Sequence, residues 1–189
     1  MRTRLIAAAV LGMPLLIASR PATTHVADPT DAKCKETLAT FKSKDSGIDK
    51  FFKGAVGYAI FPSIAKGAIG IGGATGEGCV YKGGAMIGTA RLSQVTVGLQ
   101  LGGQAYSELI FFETAKTLDG FTNSDFAFGA QVSAVALTAG ASANAAYRDG
   151  VAVFTVAKGG LMYEASVGGQ KFSYESMADK KKEEEKKKD

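Results

Sequence analysis

A chain of 189 residues with 46% apolar content is long enough for one ordinary domain and rich enough to build its core. Its formal charge of +4 overstates any cationic character, because Arg2, Arg4 and Arg20 fall in or beside an N-terminal leader and the remainder carries about +1. No basic stripe is interleaved with aromatics, and the single histidine is His25, so the composition argues against nucleic-acid binding, a histidine-based nucleophile and a histidine metal site.

Residues 1–27 read as an export signal. Arg2 and Arg4 form a positive n-region, and 5–17 is an apolar run broken by Gly12 and Pro14. That run is too short to span a bilayer, although a retained N-terminal anchor helix is the alternative. Ser19 and Ala27 are both candidate cleavage positions. No cysteine lies near them, which speaks against a lipid-anchored form.

The folded domain is expected over 28–175. Asp28-Pro29 is a helix start, with Asp at the N-cap and Pro at N1. Cys34, Leu38 and Phe41 then fall at i, i+4 and i+7 as one apolar stripe. A second short helix is signalled by Ser46 as cap and Gly54 as stop, with Ile48, Phe51 and Phe52 as its apolar residues and Lys50 and Lys53 beside them.

From Ala55 onward the period changes to two, or to short runs that are apolar throughout. Strands are predicted at 56–61, 68–72, 78–81, 85–90, 95–101 and 105–112, and again at 132–141, 151–156, 161–167 and 171–174. Between the two groups, 113–120 reads as a helix ended by Gly120. Turns are predicted at Lys82-Gly83-Gly84, Gly102-Gly103, Arg148-Asp149-Gly150 and Lys158-Gly159-Gly160. Short loops of this kind join antiparallel neighbours. The fold class is therefore α+β and β-rich: a curved antiparallel sheet or barrel-like β structure with N-terminal helices and one internal helix. Residues 176–189 form a charged tail, either solvated or a frayed helix.

Of the 24 glycines, 22 fall between Gly54 and Gly169. The run Gly70-Ile-Gly72-Gly73-Ala-Thr-Gly76 fails as a dinucleotide loop, because a strand rather than a helix follows it. It reads instead as a glycine-rich hairpin. Cys34 and Cys79 meet an oxidising compartment after export, where they either pair or stay as two buried thiols. The carboxylates Glu77, Glu108, Glu113, Asp119 and Asp125 are scattered and read as turn or surface residues. No cofactor, no metal site and no enzymatic activity are expected.

Three blocks taken in order, Ala55-Val-Gly-Tyr-Ala-Ile-Phe-Pro62, Lys66-Gly-Ala-Ile-Gly-Ile-Gly-Gly73 and Gly76-Glu-Gly78, resemble the opening of a SYLF, or Ysc84-like, domain. The resemblance continues through Val97-Gly-Leu-Gln-Leu-Gly-Gly-Gln104, Glu108 to Phe112, Phe128-Gly129, Ala157-Lys-Gly-Gly-Leu161 and Ser166-Val-Gly-Gly169. It implies binding of phosphoinositide or other anionic lipid, in several members through a basic amphipathic helix at the domain's N-terminus. The matching element is 48–53, and the residues it points to are Lys50, Phe51, Phe52, Lys53 and Lys66. Phe51 and Phe52 would either insert at a membrane interface, with the lysines on phosphates, or staple the helix to the sheet.

This chain departs from the family's usual pattern in three ways. Val56 stands where a basic residue is frequent, Thr89-Ala-Arg-Leu-Ser93 replaces a Trp-Ser-x-Pro segment, and no SH3 domain accompanies the domain. Actin, the family's cytoplasmic partner, is not expected for an exported protein. The sequence thus reads as an exported, non-enzymatic domain of the periplasm or cell envelope that binds an anionic membrane surface. The alternative is a structural or interaction protein that associates through sheet edges or an exposed apolar face, and an internal ligand cavity is a third reading.

Overall fold

The computed structural model describes residues 31–69, 71–97, 102–123, 126–129, 132–159 and 167–186. The leader, His25, the Asp28-Pro29 helix start, Asp125 and the strand expected over 161–167, apart from Val167, lie outside the described residues.

The stripe of Cys34, Leu38 and Phe41 is the buried side of helix α1 (Asp31–Lys44). A 3-10 turn, Ser46–Ile48, leads into α2 (Asp49–Gly54). The cap of that turn is Asp45 rather than Ser46. Its carboxylate accepts from Gly47 N at 2.9 Å and from Ser142 N at 2.8 Å, so one side chain satisfies two backbone donors.

Eight strands form one sheet: β1 (Gly57–Ile69), β2 (Ile71–Lys82), β3 (Ala85–Val97), β4 (Gly102–Phe112), β5 (Phe126–Ala127), β6 (Ala134–Ala136), β7 (Val151–Lys158) and β8 (Lys171–Ser176). Their order is β5-β8-β3-β2-β1-β4-β7-β6, curled into a half-barrel with β5 and β6 at its edges. Helices α3 (Ala115–Asn123) and α4 (Met177–Lys186) complete the fold. The chain is α+β and β-rich, as the sequence indicates.

Several local expectations are corrected. The strands predicted at 56–61, 68–72 and 78–81 merge into two long ones, because glycines taken as punctuation sit inside β2. A Cβ on Gly78 would lie 2.7 Å from the Phe61 ring, and one on Gly76 would lie 2.7 Å from Ile64. The glycines make room for side chains of the neighbouring strand and turn nothing. Gly102 and Gly103 likewise open β4, opposite Ala68 and Gly67, rather than forming a turn. Gly120 lies within α3, which runs on so that Leu118 and Phe121 are both buried. The strand expected at 132–141 shortens to β6, and β6 pairs parallel with β7. The sheet is therefore mixed, since the 14 residues between β6 and β7 carry the chain back for a parallel return.

Two predicted turns hold. Gly83 and Gly84 (φ +58° and +82°) join β2 to β3, and Asp149 and Gly150 (φ 51° and 77°) precede β7. Paired positive φ values match the twist of the strands they connect.

Both faces of the sheet are covered, which explains strands that are apolar at every position. Leu109 and Phe111 face α1 and α2 in a cluster with Phe41, Ile48, Phe51, Tyr81 and Phe154. Ile110 and Phe112 point the other way, among Phe61, Leu118, Phe121, Phe128 and Phe172. The two sides are called the α1–α2 face and the α3 face below.

Candidate functional site

The residues singled out from the sequence divide between two ends of the sheet. Phe51 is buried on the α1–α2 face, its ring 4.9 Å from Phe154, 5.4 Å from Tyr147 and 5.6 Å from Phe111. An aromatic held on three sides packs as core, so of the two roles open to Phe51 its burial fits the staple that fixes α2 and leaves little of the ring to insert. Phe52 is half-buried, edge-on to Phe111 at 4.8 Å and to Tyr58 at 5.3 Å, with the Lys42 ammonium 4.4 Å from its ring.

Lys50 is exposed, but its Nζ donates to Ala143 O at 3.0 Å and ties α2 to the 3-10 turn Ala141–Asn144. Lys44 and Lys53 are exposed, and Lys42 reaches Asp49 at 3.5 Å. Lys66 does not join this group. It is nine residues along β1 from Gly57, about 30 Å away at the usual strand rise.

Beside α2 lies an open hollow of about 540 Å³ lined by Lys50, Phe51, Glu113, Ala145, Ala146 and Tyr147. Burial, and then the Glu113 charge, hold the Tyr147 hydroxyl above the ordinary phenol range.

Two links pin α1 to β2. Cys34 and Cys79 form a disulfide with Cα atoms 6.3 Å apart, which settles the pairing left open by the sequence. One turn earlier, Tyr81 donates its hydroxyl proton to Asp31 at 2.7 Å. The Asp31 carboxyl is held below its ordinary range, first by its hydrogen bond from Lys35 and then by Tyr81.

One polar group escaped the sequence reading. Glu108, taken as a turn or surface residue, is fully buried on the α3 face. Gln170 Nε2 donates to Glu108 Oε2 at 3.0 Å and to the Tyr106 hydroxyl at 3.3 Å. Glu108 Oε1, Gln170 Oε1 and Thr155 Oγ1 are buried without a protein partner, and Thr155 stands directly opposite Glu108 across β4 and β7. Loss of hydration pushes the carboxyl up to about 8, against the smaller opposing effect of the Gln170 hydrogen bond. At neutral pH the protonated form predominates, and a neutral acid is one more donor for these acceptors. The signal was present in the sequence, since Glu108 shares its strand parity with Tyr106, Ile110 and Phe112. Among the described residues no three His, Cys, Asp or Glu side chains converge as metal ligands.

Comparison with known families identifies residues 93–182 as a match to the family described as Ysc84, Las17-binding protein actin regulator. The matched span runs from β3 into α4 and takes in Glu108, Thr155 and Gln170, while α1, α2 and β1 precede it. No curated protein matches the chain.

Proposed function

Because the chain belongs to the Ysc84 (SYLF) family through residues 93–182, we propose that it is a non-enzymatic domain that binds an anionic lipid surface in the cell envelope. The observation that carries this reading is the cationic corner at α1 and α2. Lys42, Lys44, Lys50 and Lys53 are exposed around the half-buried Phe52, with Asp49 paired to Lys42 at 3.5 Å. Lysines near an anionic leaflet contribute about 1 kcal/mol each, so such a corner supports reversible, salt-sensitive attachment.

The Cys34–Cys79 disulfide supports export, since such bonds persist in oxidising compartments. Export in turn makes a cytoplasmic partner such as actin a poor fit. Association through sheet edges has little support: β5 and β6 are two and three residues long, and short edges offer few unpaired backbone groups.

The test is co-sedimentation of the purified chain with phosphatidylcholine vesicles containing graded phosphatidylglycerol, at low and moderate salt. Binding should rise with anionic content and fall with salt. Absence of binding at every composition would remove the lipid reading.

A further inference from the structure

Three separate stretches of chain meet at the hollow beside α2. Lys50 and Phe51 come from that helix, Glu113 directly follows β4, and Ala145, Ala146 and Tyr147 lie between the 3-10 turn Ala141–Asn144 and β7. The stretches are fastened to one another. Lys50 Nζ donates to Ala143 O at 3.0 Å and, at greater length, to Ala145 O at 3.5 Å. Glu113 N donates to Gly150 O at 2.9 Å, and the Tyr147 ring stands edge-on to Phe51 at 5.4 Å. The hollow is therefore preformed, and the two alanines in its wall keep it open. Its volume of about 540 Å³ falls among small-molecule sites, which run from about 300 to 1,000 Å³.

Its charges are opposite and do not meet. Lys50 brings an ammonium and Glu113 a carboxylate to the same hollow, yet neither forms an ion pair among the described residues. Two carbonyls hold the lysine and leave one of its N–H groups for a ligand. Tyr147 adds a third polar group. Its hydroxyl is buried with no hydrogen-bond partner among the described residues, and the Glu113 charge acts on it. A buried hydroxyl left without a partner needs an explanation, and a ligand that engages both charges supplies one.

Such a ligand presents an anionic group to Lys50 and a cationic group to Glu113 and Tyr147. The cationic end should bear N–H groups. A carboxylate and a phenol oxygen both accept hydrogen bonds, and a quaternary ammonium has none to give. Lys53 stands three residues beyond Lys50 on α2, so the hollow and the lysine corner share a flank of that helix. A phospholipid surface drawn to the corner brings its head groups to the mouth of the hollow.

We infer that the hollow is a head-group site for a lipid of the phosphoethanolamine type, with the phosphate on Lys50 and the primary amine on Glu113 and the Tyr147 hydroxyl. The inference rests on the membrane-binding reading and adds a selectivity that the lysine corner, answering to charge alone, does not supply.

Co-sedimentation at one fixed phosphatidylglycerol content compares vesicles completed with phosphatidylethanolamine against vesicles completed with phosphatidylcholine. The wild-type chain should bind the first roughly tenfold more tightly, the effect of one hydrogen bond to a charged group. Glu113→Gln, at an exposed position, should bring the two series together while its near-ultraviolet spectrum stays native, and Tyr147→Phe should narrow the gap. Phosphatidylethanolamine also loosens head-group packing, so a preference that Glu113→Gln keeps in full would overturn the inference. Equal binding of the two series by the wild-type chain would overturn it too, with the membrane reading left standing. In calorimetry, soluble glycerophosphoethanolamine should bind and glycerophosphocholine should not. Binding of the soluble compound without any vesicle binding would keep the hollow as a site for the free zwitterion and sink the membrane reading. Binding of neither would sink both.

Discussion

Gln170 Nε2 donates to Glu108 Oε2 at 3.0 Å, and among the described residues this is the one protein hydrogen bond to that carboxyl group, which has no exposure to solvent. The bond crosses from the turn before β8 to the middle of β4, on a face otherwise filled by Phe61, Ile110 and Phe112. A single neutral hydrogen bond does not offset the hydration that an ionised carboxylate would lose.

Stability should therefore depend on the state of Glu108. Its carboxyl titrates at about 8 in the fold against an ordinary value of 4.5. Below 4.5 both states are protonated and the contribution is whole. Between 4.5 and 8 the unfolded chain has released a proton that the fold retains, so stability falls as pH rises, by up to about 1.4 kcal/mol per unit. Glu108→Gln should flatten this slope, matching wild type near pH 4 and exceeding it at pH 9. Urea unfolding at several pH values checks it, and parallel slopes for the two proteins would refute it.

The disulfide between Cys34 and Cys79 closes a loop across 45 positions, worth about 4 kcal/mol of loop-closure entropy. Replacing both cysteines with alanine should lower the thermal midpoint by several degrees or more and free α1 from β2. Limited proteolysis should then cut near the N-terminal end of α1 before the sheet is attacked.

Gly78→Ala should destabilise by about 1–3 kcal/mol, because the added methyl meets the Phe61 ring and the Ile60 carbonyl within β1. Gly54→Ala, whose Cβ would enter open space at the end of α2, should stay within about 0.5 kcal/mol of wild type. Chemical denaturation of both variants tests whether close packing is what requires glycine inside these strands.

Phe51 and the exposed lysines beside it should separate in their effects. Phe51→Ala should cost about 3–5 kcal/mol of stability, as expected for a ring packed on three aromatic neighbours. Lys44→Glu with Lys53→Glu should leave stability near wild type and reduce affinity for anionic vesicles. Unfolding and co-sedimentation measured on the same samples would show it. Weak vesicle binding by a folded Phe51→Ala, with none lost in the lysine variant, would reverse the assignment.

Local chemistry is what the sequence by itself determined. The stripe of α1, the paired positive-φ turns at Gly83-Gly84 and Asp149-Gly150, and strands β7 and β8 are all written within a few neighbouring residues. So is the β-rich class, since apolar runs such as Leu109 to Phe112 demand a sheet covered on both faces. Tertiary structure decided what distant partners control. The glycines of β2 became strand residues only because Phe61 and Ile64 occupy the space a side chain would need. Phe51 and Phe52 have equal hydrophobicity and both touch Phe111, and they parted because Tyr147 and Phe154 enclose the first as well. Pairing of Cys34 with Cys79 needed the docking of α1 on β2. Burial of Glu108 needed β7, β8 and α3 to cover a strand position that, taken alone, carries an ordinary carboxylate. Burial and close approach are sums over residues far apart in the chain, so neither can be read from any one stretch of it.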